Sequence, residues 1–268
     1  MNMKIIGSVG IALTLQSVSA VITPEIQAKI DAEIAAHGGI VTIIPTGNVI
    51  RVVNAQKTVS PEFFGPLVKD VQKIGINVPI EVSDATSLAG QDPMALANSS
   101  VRVPKTGVVI AVVEVKNFPT ILIAPENAWA ILNVWNLKAD KPAKPLLEMR
   151  IVKEFWRALA GGVGGMNSQM GPCVMRPVAR LADLDRINAK RLGPDATMKV
   201  IQSLSTYGID MIETLAYDDA CELGIAPAPT NDVQKSIWAK THNKKADAVD
   251  PTNRWKRDFP DKEKSNTK

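Results

Sequence analysis

The chain has 268 residues, of which 46% are hydrophobic, and a formal net charge of +4. That length allows one large domain or two small ones, each with a real core. Residues 235–268 hold ten Lys or Arg against five Asp or Glu and Lys4 adds another cation, so residues 21–234 are slightly acidic and a nucleic-acid-binding core is unsupported.

Residues 1–20 read as an export signal. Lys4 is their only charge, an apolar run follows from Ile5 to Val18, and Val18-Ser19-Ala20 has small-x-small cleavage chemistry. The expected location is periplasmic or extracellular. Beyond residue 20 no apolar run approaches the roughly 20 residues a membrane span needs, so no transmembrane segment is expected after signal removal. Export implies an oxidising compartment, where the two cysteines, Cys173 and Cys221, are expected to form a disulfide. Two cysteines alone cannot make a structural zinc site.

Thr23-Pro24-Glu25 supplies an N-cap and a proline at the first helical position, predicting a helix to about Ala36. Ile40 to Ile44 and Val49 to Val53 are apolar, β-rich runs around the turn residues Pro45-Thr46-Gly47-Asn48, which predicts a hairpin. Ser60-Pro61-Glu62 starts a helix carrying Phe64, Leu67, Val68, Val71 and Ile74 on one stripe, ended by Gly75. Val78 to Val82 reads as a short strand and residues 83–106 as a long polar loop with room for one helical turn. Val108 to Val115 is near-continuously apolar, the mark of a central strand covered on both faces. Thr120 to Ala124 and Trp129 to Val134 are two more strands around Pro125-Glu126-Asn127.

A loop from Lys138 to Pro145 leads into the most patterned stretch, Glu148 to Met175. Val152, Phe155, Leu159 and Gly162 fall at helical spacing. Gly161 and Gly162 end the helix, and Gly164 and Gly165 permit a tight turn or positive φ. Leu181 to Lys190 and Ala196 to Tyr207 read as further helices, residues 222–234 as loop, and residues 235–268 as a basic polar tail. The expected organisation is a signal over 1–20, one domain over 21–234 and a tail over 235–268. The expected fold class is α+β, one mixed sheet with helices packed on it.

The central stretch resembles the active-site region of the archaemetzincin-like zinc metallopeptidases, a branch of the metzincins. Metzincins carry H-E-x-x-H-x-x-G-x-x-H followed by a methionine turn. Archaemetzincins add Cys after the last His, then four residues, Cys, one residue and Met. Here Gly164 stands at the motif glycine, Asn167 follows three residues on, and Ser168, Cys173, Val174 and Met175 keep the later spacing. Lys153-Glu154 also resembles the residues that precede the motif. The resemblance covers residues 105–180 and implies a zincin-like sheet, a central helix, a glycine turn and a Met-turn-like Cys-Val-Met.

The ligands are missing. Arg157, Gly161 and Asn167 occupy the three zinc-ligand positions, Ala158 the general-base position, and Ser168 the place of the first cysteine. A zincin needs two imidazoles four residues apart, a third ligand after the glycine turn and a carboxylate beside the bound water. Glycine and alanine offer no donor atom, and arginine has no lone pair for a metal. The two histidines of the chain, His37 and His242, have no metal-ligand spacing. No metal and no cofactor are expected.

Other chemistry has little support. There is no G-x-S-x-G, and Gly162-Val163-Gly164-Gly165 lacks the lysine and hydroxyl of a phosphate loop. Glu114, Glu126, Glu148 and Glu154 lie near the expected cleft; a raised-pKa carboxylate pair among them would favour a hydrolase. The expected function is an exported, catalytically inactive zincin-fold protein acting as a binding or scaffolding module, with a peptide or protein in the cleft as the expected partner. The alternatives are a hydrolase using other residues and a structural envelope protein. The oligomeric state is not legible. Arg157 is expected to face solvent or to pair with a carboxylate or backbone carbonyls in place of a metal.

Overall fold

The computed structural model of the chain describes residues 3–6, 12–15, 32, 39–85, 92–165, 173–226 and 228–249. The helix expected over 23–36, His37, Asn167, Ser168 and the stretch beyond residue 249 lie outside the described residues. Two compact units divide the chain, one of Gly47–Ile212 and one of Met1–Thr46 with Glu213–Lys268.

The first unit is built on a five-stranded mixed sheet. Its strands, in chain order, are β4 (Val49–Ala55), β5 (Ile80–Ala85), β6 (Thr106–Val113), β7 (Ile121–Ala124) and β8 (Trp129–Asn133). Their spatial order is β5-β4-β6-β8-β7. The first four in that order run parallel, and β7 closes the edge antiparallel to β8, with Ile123 opposite Ala130. Strand β6 sits in the middle and is fully buried from Val108 to Val113, as its continuous apolarity requires.

Alternation along the strands sorts the side chains onto two faces. Ile50, Val52, Val108, Ile110, Val112, Ala130 and Leu132 form one core with α1 (Pro61–Lys73) and α4 (Lys144–Gly162). Val53, Val109, Ala111, Val113, Trp129 and Ile131 form the other with Leu96 and Ala97 of α2 (Pro93–Val101). Helix α2 stands where a loop was expected. Its Asp92-Pro93 start is a helix signal, and Leu96 and Ala97 join the core against the sheet with Val101 packed beside them. The short α3 (Val134–Leu137) is capped by the Asn133 side chain, which accepts from Trp135 N. Helix α5 (Leu181–Arg186) and helix α6 (Pro194–Leu204) follow the central helix.

The expected hairpin is not formed. The strand β3 (Ile40–Ile44) belongs to the second unit, and β4 pairs in parallel with β5 and β6. The apolar runs are strands, but the turn between them is where one unit gives way to the other.

The second unit has a four-stranded sheet in the order β2-β1-β3-β9, made of β1 (Met3–Ile6), β2 (Ala12–Leu15), β3 and β9 (Glu213–Ala216). All its pairings are antiparallel. Helices α7 (Tyr217–Glu222) and α8 (Asp232–Val249) complete it. Its core joins Val41, Tyr217, Ala220, Ala226 and Ile237. Among the described residues there are therefore two sheets where one was expected, and the stretch from Lys235 begins as helix, with Ile237 and Thr241 buried. Gly39, at φ +81°, lies under α8: a Cβ there would come within 2.8 Å of Thr241 and 2.9 Å of Ile237. Among the described residues no helix is long and apolar enough to cross a membrane.

Candidate functional site

The central helix α4 carries the motif positions. It is buried almost all round from Arg150 to Gly162, not on one face only. Its apolar residues Ile151, Phe155, Trp156 and Leu159 enter the core under the sheet. Such a helix can hold charges only where each finds a partner.

The end of α4 is a helix stop. Gly164, at φ +79°, donates to Gly161 O at 2.9 Å, and Gly165 donates to Ala160 O at 2.6 Å. Those two bonds are the paired closure of a Schellman motif, which satisfies carbonyls the helix leaves open. A Cβ on Gly165 would lie 2.5 Å from Ala160 O, so a side chain there cannot coexist with the closure.

Three cations lie on one stripe of α4, at positions 150, 153 and 157, and each reaches the segment that follows the turn or flanks it. Arg150 uses every N–H of its guanidinium. It donates to Leu137 O, to both carboxylate oxygens of Asp140 and to both of Asp185, at 2.6–2.9 Å. Hydrogen bonds from Arg150 hold Asp140 and Asp185 below the usual aspartate range, and the two carboxylates raise the guanidinium further. Lys153 donates to Leu184 O at 2.8 Å, and burial pushes its ammonium down.

Arg157 is the residue expected from the sequence at the first zinc-ligand position. Its Nη1 donates to Val174 O at 3.0 Å and to Arg176 O at 2.6 Å. Its Nε faces Glu154 Oε2 at 3.3 Å, off hydrogen-bond alignment. Glu154 is only 2% exposed; burial raises its carboxyl above the ordinary range, and the charge of Arg157 opposes this. Both partner classes expected for a buried Arg157 are thus present, carbonyls and a carboxylate.

Cys173, Val174 and Met175 are all buried. The Cys173 sulfur accepts from Met175 N at 3.5 Å and from Gly193 N at 3.2 Å, while Val174 N donates to Arg191 O. The expected disulfide is corrected here: Cys173 and Cys221 are not bridged to each other. Cys173 is held inside its own turn in the first unit, and Cys221 packs beside the Tyr217 cluster of the second.

Ala158 is fully buried. Gly161 is covered by Ile123 of the edge strand β7. The motif positions 157, 158, 161 and 164 thus share the last two turns of α4 and its stop, and Met175 sits in the segment that Arg157 ties to the helix. These residues do not fit a zinc ion, because a guanidinium bound to carbonyls, an alanine and a glycine present no lone pair.

The other candidate carboxylates do not pair with one another. Glu114 bonds Lys138 at 2.7 Å, Glu148 lies 3.9 Å from Lys144, and Glu126 accepts from Asn127. His242 stacks on Trp238 and lies 3.7 Å from the buried Asp218. Reading the sequence alone overlooks Arg150 and Lys153 as anchors. Their signal is a repeat of cations at three- and four-residue spacing inside an otherwise apolar helix. For Ile123 the sequence holds no signal.

No family model matches the chain, and no curated protein matches it. Two solved structures are similar. Archaemetzincin from Methanopyrus kandleri is 19% identical with a TM-score of 0.46, over 60% of this chain and 99% of that one. A zinc-dependent peptidase from Methanocorpusculum labreanum is 17% identical with a TM-score of 0.45, over 56% of this chain and 99% of that one.

Proposed function

We propose that this is a non-catalytic relative of the zinc metallopeptidases, working as an exported binding or scaffolding module. The observation that carries the reading is the use made of position 157. In a metallopeptidase the ion joins the helix to the ligand beyond the glycine turn. Here the Arg157 guanidinium joins the helix to the carbonyls of Val174 and Arg176. A cation fixed by carbonyls supplies the tether and removes the ligand. Ala158 then leaves no carboxylate to activate water.

A peptide or protein segment is the proposed partner, laid along the edge strand β7, whose outer side pairs with no strand among the described residues. Export remains part of the proposal and rests on the sequence of residues 1–20, whose removal would take β1 and β2 out of the second unit's sheet. The testing experiment is elemental analysis of purified protein with a peptidase assay at saturating zinc. The expected result is no stoichiometric zinc and no cleavage. One zinc per chain with peptide hydrolysis overturns the reading.

A further inference from the structure

The replacement of ligands at 157 and 161 and of the general base at 158, which the sequence resemblance implies, leaves open whether the space for a metal survives. Ile123 decides this. Strand β7 pairs with β8 through Ile123–Ala130, which puts Ile123 on the sheet face that α4 covers. An ideal Cβ on Gly161 falls onto Ile123 Cδ1, and within 2.9 Å of its Cγ2 and 3.0 Å of its Cγ1. Rotation about χ1 does not clear the position. The Ile Cβ carries two carbons on three staggered sites, and the two sites nearest Gly161 are the ones filled, so every rotamer keeps at least one of them filled.

We infer that Ile123 and Gly161 form a steric lock between the edge strand and the central helix, which fills the volume that a ligand side chain at 161 requires. The site is thus closed as well as stripped of ligands. The inference rests on the non-catalytic reading and adds a residue to it. Glycine at 161 is the condition for β7 to seat this closely, at a position where glycine otherwise weakens a helix. Ile123 keeps its outer side accessible, at 39% exposure, so the floor beside β7 is apolar protein where a metal centre would lie.

The test is a double-mutant cycle in the full chain, read by thermal unfolding. Gly161→Ala with Ile123 in place is expected to lower the Tm by about 5 °C, the scale of overpacking in a domain this size. In an Ile123→Ala background the same change is expected to be neutral or to raise the Tm, because alanine is the better helix former. Should Gly161→Ala fail to fold, recovery of folding by Ile123→Ala supports the lock and failure to recover overturns it. A Gly161→Ala protein as stable as the parent overturns it too. A second arm measures zinc in the Arg157→His, Gly161→His, Asn167→His triple variant. It is expected to hold none, and one zinc per chain with Ile123 intact overturns the lock. Zinc in the parent protein sinks the proposed function instead, and the cycle still reads the lock separately.

Discussion

Arg157 Nη1 lies 3.0 Å from the carbonyl oxygen of Val174, which ties the central helix to the buried Cys173-Val174-Met175 turn. The same nitrogen donates to Arg176 O, and Glu154 supplies the nearest carboxylate. Removing the guanidinium leaves two carbonyls and a buried carboxylate without their cation. Arg157→Ala is expected to cost about 3 kcal/mol, the range for breaking a buried pair. Arg157→Lys recovers part of this at most, since an ammonium cannot spread donors across both carbonyls and the carboxylate. Urea denaturation of the three proteins checks this, and a melt of Arg157→Ala matching the parent removes the tether.

Glu154 gives that region a pH signature. Burial raises its carboxyl in the folded protein above the ordinary 4.5, so the native state holds the proton more tightly than the unfolded chain. Its contribution is most favourable below the unfolded value and is lost as pH rises through the folded one. Asp140 and Asp185 act with the opposite sign. Hydrogen bonds from Arg150 lower them from 3.8, so their stabilisation is present above that value and is lost as pH falls. Glu154→Gln is expected to abolish the decline above about pH 4.5 and to keep the acid limb. Urea midpoints across a pH series measure both, and an unchanged decline in the Gln variant contradicts the assignment.

Much of the first unit was legible because its elements obey local rules. Pro61 with the Phe64, Leu67 and Val71 stripe, the apolar run of β6, and the glycine stop after α4 each carry their own period or cap. What escaped depends on distant partners. Glu213–Ala216 is a strand because Val41 and Ile43 pair with it across most of the chain. The burial of Arg150 depends on Asp140 and Asp185, one on each side of the helix in sequence. The separation of β3 from β4 is invisible in a Pro-Thr-Gly-Asn turn that would suit a hairpin equally well. At the site, the glycine stop after α4 is readable from its residues, but the seating of Ile123 on Gly161 is tertiary.

The cysteines yield a direct chemical prediction. The Cys173 sulfur accepts from the amides of Met175 and Gly193, and no bridge to Cys221 is made. Denatured, unreduced protein is therefore expected to titrate two thiols. In the native state Cys173, at 1% exposure, is expected to react only on unfolding, and Cys221 faster. Finding no titratable thiol in the denatured protein overturns this and restores the disulfide.

The two glycines of the helix stop separate backbone strain from steric exclusion. Gly164 has φ +79° and nothing within 4 Å of an added Cβ, so Gly164→Ala bears only the strain of the left-handed conformation, about 1–2 kcal/mol. Asparagine tolerates that region, and Gly164→Asn is expected to cost less. Gly165 differs, because an added Cβ lies 2.5 Å from Ala160 O and 2.9 Å from its carbonyl carbon. Relief requires breaking the 2.6 Å bond from Gly165 N to Ala160 O, which opens the closure. Gly165→Ala is expected to cost about 3 kcal/mol, strain and a lost buried hydrogen bond together. Denaturant midpoints are expected to rank Gly164→Asn as the mildest change, Gly164→Ala as intermediate and Gly165→Ala as the most costly. Equal losses for the two alanine variants contradict a closure that depends on the bare backbone at 165.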